Sequence, residues 1–415
     1  MNQNDSALAS GASEAAPLVN RKVSTQAVQS DDQSNSQSCS TKDSRVMNRW
    51  RTRSVIQRLL RGALPETEWP RVVRCGWSMQ ALVTLLGAKG KASWNGVEHC
   101  NSIWACPCCS ARIREGRRKE ILQAVHVARE RKWRMFFVTF TVPHTRDVPL
   151  KQSLKGLTEA FRRIRNFRSL SPFWNAMQGF IKAVEVQVGS NGFHPHLHVL
   201  VMTDGCDLVN DSIEEKLKKA WGNAVVKAGL ARPKDSVGVT VEETLDPERT
   251  ADYLVKVQEN KLSLEMTRAD LKQGRGGSET ETEWHCSPFD LINEEVELPI
   301  SFAQRQKLFV EFFRETKGVS AIRWSRGFKK KFDVEEVSDE ELGTLTPEEA
   351  QAELRFVRAN YKILFKEKPW ILARCQEHFQ AGEFEKAGAL AQGYGELILV
   401  PERSDKSEEE PDWGL

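Results

Sequence analysis

Apolar and polar residues alternate along Phe180-Ile181-Lys182-Ala183-Val184-Glu185-Val186-Gln187-Val188, the period-two pattern of a β-strand with one buried face. Gly189-Ser190-Asn191-Gly192 supplies a hairpin turn, and Phe193 to Val201 reads as the returning strand. The same reading predicts a strand at 135–142, a helix at 149–167, the hairpin at 180–202, a helix at 211–228, a strand at 237–243 and a helix at 247–262. Together they make an α+β domain: a compact antiparallel sheet with helices packed on one side. Upstream, 45–68 reads as a basic helix and a long helix runs from about 112 to 131; downstream, 302–313 is helical. Residues 1–44, rich in Ser, Asn, Gln and Ala, hold too few large apolar side chains to order themselves.

The returning strand carries the first chemistry. His194, His196 and His198, three of the chain's eight histidines, stand at alternate positions, so their imidazoles project from one face. Imidazole is the commonest protein ligand for transition metals. If Gly189 faces Gly192, Gln187 lies opposite His194 and Glu185 opposite His196. Opposed side chains sit ~5 Å apart at Cβ. Glu185 is therefore the candidate carboxylate ligand, against the plainer reading of a solvent-facing strand residue.

A nucleophile is sought among three tyrosines. Tyr253 stands in a patterned helix that opens with Asp246 as N-cap, Pro247 at the first helical position and Glu248 in the first turn. Ala251, Leu254, Val255 and Leu262 share an apolar face; Arg249, Tyr253, Lys256 and Asn260 share the opposite one. Two cations beside a phenol neutralise phosphate oxygens and favour the phenolate, which suits attack on phosphorus.

Together these residues resemble the replication initiators of rolling-circle plasmids, in the HUH endonuclease superfamily. His196-Leu197-His198, preceded by His194-Pro195, is similar to the family's metal motif, and Glu185 to the acid of the preceding strand. Tyr253-Leu254-Val255-Lys256 resembles the tyrosine motif, and Phe137-Val138-Thr139-Phe140-Thr141-Val142-Pro143 the first motif. The likeness covers about residues 70–335 and is nearest to single-tyrosine initiators with an N-terminal cysteine cluster. It implies an HUH endonuclease-like antiparallel sheet, preceded by a small zinc module and followed by a helical C-terminal region. It also implies catalysis by Tyr253 and Lys256, with Mg²⁺ or Mn²⁺ on His196, His198, Glu185 and His194. The DNA would be nicked and rejoined through a 5′-phosphotyrosine. One departure is Arg249, where some relatives carry the acid that activates water at termination; Glu248 or Asp252 could serve instead.

The cysteine cluster is present as Cys100-x5-Cys106-Pro107-Cys108-Cys109, with Cys75 upstream. Four thiolates suit a closed tetrahedral Zn²⁺ site, first choice Cys75, Cys100, Cys106 and Cys109. Cys108 could substitute for Cys109, and His99 for a thiolate. The helix that follows carries Arg112, Arg114, Arg117 and Arg118, and helix 149–167 carries Arg162, Arg163 and Arg165; these seven are the candidate phosphate contacts. Residues 317–331 interleave Trp324, Phe328, Arg and Lys, which suits single-stranded DNA.

The net charge of +3 conceals basic stretches at 45–74, 112–134 and 151–168 and acidic ones at 276–300 and 334–353. A local basic footprint is what a nucleic-acid partner needs. Nine cysteines, most of them clustered, and no signal peptide point to a reducing cytoplasm, and no apolar run is long enough to span a membrane. The segments expected are a disordered tail 1–44, a basic helix and zinc module 45–131, a nuclease domain 132–262, an acidic connector 263–300 with His285-Cys286 incidental, a family segment 301–345, and an acidic helical region 346–415. Partners expected are single-stranded or hairpin origin DNA and a host helicase or polymerase, with no membrane. The rival functions are a single-tyrosine transposase on the same domain and a zinc-containing DNA-binding regulator without nuclease activity.

Overall fold

The computed structural model describes residues 45–88, 90–204, 211–244, 251, 254, 284–342 and 344–400. The long hairpin is its organising element. β4 (Met177–Gly189) and β5 (Gly192–Thr203) pair antiparallel with Gly189 opposite Gly192, Gln187 opposite His194 and Glu185 opposite His196. This is the register expected from the turn. Gly192 has φ +93°, a conformation L side chains rarely adopt, so the turn needs glycine there.

β3 (Arg134–Thr141) pairs with the other edge of β5, and β6 (Val239–Glu243) with β3. Beyond β4, β7 (His285–Cys286) and β8 (Ile322–Trp324) cover its free edge, completing a six-stranded antiparallel sheet. α3 (Leu150–Ile164) and α5 (Asp211–Lys227) pack on one face, where Leu157, Phe161, Leu217 and Trp221 meet Phe136, Val138, Phe140, Leu197 and Val199. Two short helical segments, α4 (Ser171–Ala176) and α6 (Asp235–Gly238), lead into β4 and β6.

The opposite face is covered too, which corrects the expectation of helices on one side. α2 (Pro107–Glu130) lays Ile121, Ala124, Val125 and Ala128 against Met135, Phe137, Ile181, Leu200 and Met202, joined by Phe328 and Phe332. The reason is visible in Arg134–Thr141, where Met135 and Phe137 are apolar as well as Phe136 and Val138. A strand that is apolar on both faces must be covered on both.

A second sheet, of four strands, unites the two ends of the described chain. β1 (Leu82–Ala88) and β2 (Lys91–Asn95) form a hairpin beside the cysteines, and β1 pairs on its other edge with β9 (Ala352–Val357), which pairs with β10 (Gly395–Leu399). α1 (Arg45–Ala63) packs on this sheet through Trp50, against Trp94, Phe356, Tyr361, Leu372 and Phe379. The C-terminal region holds helices Arg358–Glu367, Pro369–Gln380 and Phe384–Leu390, as expected, yet it also completes the sheet of the cysteine module. From Trp284 onward the acidic connector contributes Cys286, Leu291 and Ile292 to a buried core shared with the cysteines and with Val186, Val188 and Phe193 of the hairpin. Among the described residues, no helix is long and apolar enough to cross a membrane.

Candidate functional site

The strand register brings His194, His196 and His198 onto one face, and the neighbouring strands orient them. Thr139 and Thr141 of β3 lie opposite His198 and His196. Their hydroxyls hydrogen-bond the Nδ1 atoms, Thr139 Oγ1 to His198 at 3.1 Å and Thr141 Oγ1 to His196 at 3.2 Å. Trp221 on the far face donates its indole N–H to the Thr141 carbonyl at 2.8 Å, fixing that end of β3. The hydroxyls hold the rings by one nitrogen and leave Nε2 to face the site, the usual device for presenting a histidine to a cation.

Glu185 reaches across β4: its Oε2 lies 2.7 Å from His198 Nε2, and Gln187 donates to its Oε1 at 3.2 Å. Burial opposes ionisation of Glu185, but the His198 hydrogen bond and the nearby imidazoles outweigh it and hold the carboxyl at about 2. Burial drives His196 down to about 4, against the pull of Glu185. Burial, reinforced by His196, His144 and His285, drives His194 down to about 2. At neutral pH these two rings are uncharged, the form in which imidazole binds a cation.

Two members of the cluster were not singled out in the sequence. His144, three residues beyond the end of β3, stacks on His194 with ring centroids 3.8 Å apart, and His194 on His196 at 3.9 Å. His285, expected to be incidental, sits on β7 opposite Gly189 and close enough to depress His194. A Cβ on Gly189 would lie 2.5 Å from His285 Nδ1, so this approach requires glycine. His144 directly follows Pro143, the last residue of the first motif, and that adjacency was its available signal; nothing local marks His285. Among the described residues His194 Nε2 is buried without a hydrogen-bond partner, as a donor atom awaiting a ligand would be.

The second cluster is tighter. Among the described residues, Cys75, Cys100, Cys106 and Cys109 are the one group of three or more ligand atoms all within 4.8 Å of one another. The imidazoles and Glu185 are neighbours but do not converge to that degree. Sulfur separations are 3.7 Å for Cys75–Cys106, 3.6 Å for Cys75–Cys109 and 3.7 Å for Cys100–Cys109. A tetrahedron with metal–sulfur bonds of about 2.3 Å has edges of about 3.8 Å, so the thiols already fit Zn²⁺. Hydrogen bonds from Cys100, Cys106 and Cys75 push the Cys109 thiol well down, while burial pushes Cys106 up. Cys108 stands outside the tetrad, and His99 spends its Nε2 on the Trp94 carbonyl at 2.9 Å. Cys106 and Cys109 sit at the start of α2, and Cys75 follows a short 3-10 turn, so the tetrad ties three separate segments.

The expected phosphate-binding arginines have internal partners. Arg112 donates to Asn101 and to the carbonyls of Asp339, Glu340 and Leu342. Arg117 pairs with Asp339 at 2.6 Å and Glu120 at 2.8 Å, so these two clasp α2 to the 337–342 segment. Arg114 is buried against Ser110, and Arg118 bonds Glu115. On α3, Arg162 and Arg163 share Glu159, and Arg165 lies over the Phe180 ring. Ala251 and Leu254, two of the four apolar-face positions expected of the tyrosine helix, are helical and buried on the sheet face that carries the imidazoles; Val255 and Leu262 lie outside the described residues. Tyr253 and Lys256 lie outside the described residues.

Residues 92–206 match a family model described as Replication protein, and they include Cys100, Cys106, Cys109, Glu185 and the three strand histidines. The chain is also 28% identical to "Protein rep" of Streptomyces lividans, over 58% of this chain and 64% of that protein's length. No solved structure matches. The stretch similar to that family model thus spans the middle of this chain and holds His144, His194, His196, His198 and Glu185, with His285 reaching the cluster from outside it.

Proposed function

We propose that the chain is a plasmid rolling-circle replication initiator of the HUH type, which nicks and rejoins single-stranded origin DNA through Tyr253. The observation that carries this reading is the pairing of Glu185 with His198, beside a His196 ring held through Nδ1 by Thr141. That donor set suits a divalent cation, and His196, His198 and Glu185 would hold Mn²⁺ or Mg²⁺, with His194 completing or bracing the set. When bound, the cation supplies Lewis-acid polarisation of the scissile phosphate.

The chain's own residues supply the rest. The Tyr253 phenol gives up its proton and its oxygen bonds to phosphorus; the bond to the 3′-oxygen breaks, and that oxygen leaves as a hydroxyl that primes synthesis. Lys256 neutralises phosphate charge as the trigonal-bipyramidal state forms. The phosphotyrosine retains the diester's energy, so a later 3′-hydroxyl reverses the step without ATP. Zn²⁺ on the cysteine tetrad is structural in this reading, and the protein works in the cytoplasm, on origin DNA and alongside host replication proteins.

The test incubates the full chain with single-stranded oligonucleotides from its own replicon and Mn²⁺ or Mg²⁺. A covalent adduct mapped to Tyr253, absent in Tyr253→Phe, is the expected result. Equal cleavage by Tyr253→Phe would remove the nucleophile from this assignment, and tight binding with no product would make the chain a DNA-binding regulator.

A further inference from the structure

A cleft of about 1000 Å³ opens between α1, the β1–β2 hairpin, α2 and helix Pro369–Gln380, beside the cysteine tetrad. None of the clustered histidines lines it. Its walls carry eight Lys and Arg residues against four Asp and Glu, and two of those four are already paired: Glu115 with Arg118 and Lys119, Glu120 with Arg117 and Lys329. The cleft is therefore electropositive, and its lining includes one unusual group.

That group is Arg53. It is 4% exposed, and its Nε and Nη2 are buried with no hydrogen-bond partner among the described residues. Among the described residues no carboxylate pairs with it. Its guanidinium is held over the rings of Trp50 at 4.2 Å and Phe365 at 5.4 Å. It lies against the backbone of Gly76, where a Cβ would come within 3.0 Å of Nη1 and where φ is +88°. Burial opposes its charge, but the Cys108, Cys75 and Cys106 thiols more than compensate. A buried guanidinium with unmade donors carries a penalty that a bound anion removes, and its planar fork matches phosphate oxygens. Among the described residues the donors of Nε and Nη2 stay unmet.

We propose that this cleft is a phosphate-binding site, with Arg53 as its deep fork and the exposed Lys91 and Arg45 at its rim. The phosphate belongs to a single-stranded DNA backbone or to a free phosphate compound. The site itself stands on Arg53; only the DNA source rests on the functional reading above. A strand seated here would run past the cysteine module rather than through the imidazole cluster.

The test uses the full-length, zinc-loaded chain without added Mn²⁺ or Mg²⁺, so that no cleavage intervenes. Affinity for a labelled (dT)12 strand is read by fluorescence anisotropy across a salt series, and inorganic phosphate is titrated calorimetrically. Zinc content is measured in parallel on wild type, Arg53→Met and Lys91→Glu. The rim variant leaves the core untouched and keeps the test informative if Arg53→Met folds poorly. The expected result is strand affinity weakened about tenfold by Arg53→Met and about threefold by Lys91→Glu, with the salt slope falling by about 0.7 for each phosphate no longer neutralised. Saturable phosphate heat that Arg53→Met abolishes, with strand affinity unchanged, also supports the site and names the free compound as its source. Unchanged affinity for both probes in both variants, with zinc lost from Arg53→Met, overturns it and leaves Arg53 as the countercharge of the thiolates. A failure of the tyrosine chemistry would show separately, as binding without adduct once Mn²⁺ is added.

Discussion

Thr141→Val tests how the imidazoles are oriented, because it deletes one hydroxyl and conserves shape. The wild-type hydroxyl meets His196 Nδ1 at 3.2 Å, and the carbonyl bond from Trp221 is made by backbone and survives the change. Without the hydroxyl, Nδ1 loses its partner and the ring its orientation. Loss of such a supporting bond typically weakens metal binding 10–100-fold. The bond is at the long end of the normal range, so about tenfold, or about 1.4 kcal/mol, is expected for Mn²⁺. Thr139→Val removes a comparable bond of 3.1 Å, but the buried His198 ring stays packed on Phe137, with ring centroids 5.4 Å apart, so an effect of about threefold is expected there. Thr141→Ser should restore wild-type affinity. Free Mn²⁺ is read by electron paramagnetic resonance, with urea unfolding as a check on stability. Mn²⁺ affinity within twofold of wild type in Thr141→Val, or a larger loss in Thr139→Val, would refute the reasoning.

Two further outcomes follow from the same geometry. His196 titrates at about 4 in the folded chain against 6.5 ordinarily, so the unfolded chain takes up its proton first and stability falls as pH drops through that window. The loss is about 2 kcal/mol by about pH 5 from this ring alone, with His194 adding to it and Glu185 joining only at lower pH; a urea midpoint that stays flat from neutral pH to about 5 would contradict it. Cys106→Ser should lose bound zinc and lower the melting temperature, whereas Cys108→Ser should keep zinc at one ion per chain; atomic absorption that finds the two variants alike would undo the assignment of the tetrad.

Local pattern made the hairpin legible down to its register, because the glycines at 189 and 192 and strict alternation leave a single pairing that puts Glu185 opposite His196. The cysteine tetrad was legible for a similar reason: spacing within Cys100–Cys109 is short-range information. The sheet's second covered face could have been read from Met135 and Phe137, whose apolar side chains leave β3 no solvent side. Other features depend on contacts between distant segments. His285 reaches the cluster only because β7 pairs with the end of β4, and β9 finds β1 across most of the chain. Composition marked the α2 cations but not their neighbours: Arg112 and Arg117 reach Asp339 and the carbonyls beside it only because a segment from far along the chain packs opposite. Helical period put Ala251, Leu254, Val255 and Leu262 on one apolar face, and the two of them that are described, Ala251 and Leu254, are buried.

The pairing of β1 with β9 makes the cysteine module a host and the imidazole-bearing sheet a guest spliced into it. The host's first half is synthesised early and its closing strands last, so its sheet is completed only when the ribosome has passed Leu399. The guest, by contrast, has its main strands and the α3–α5 layer within one continuous stretch, and local contacts fold first. Once folded, it shortens the loop the host must close, since the outgoing α2 and the incoming 337–342 segment run side by side under the Arg112 and Arg117 clasp. Order of folding is thereby written into the topology: the guest brings the two halves of its host within reach of each other.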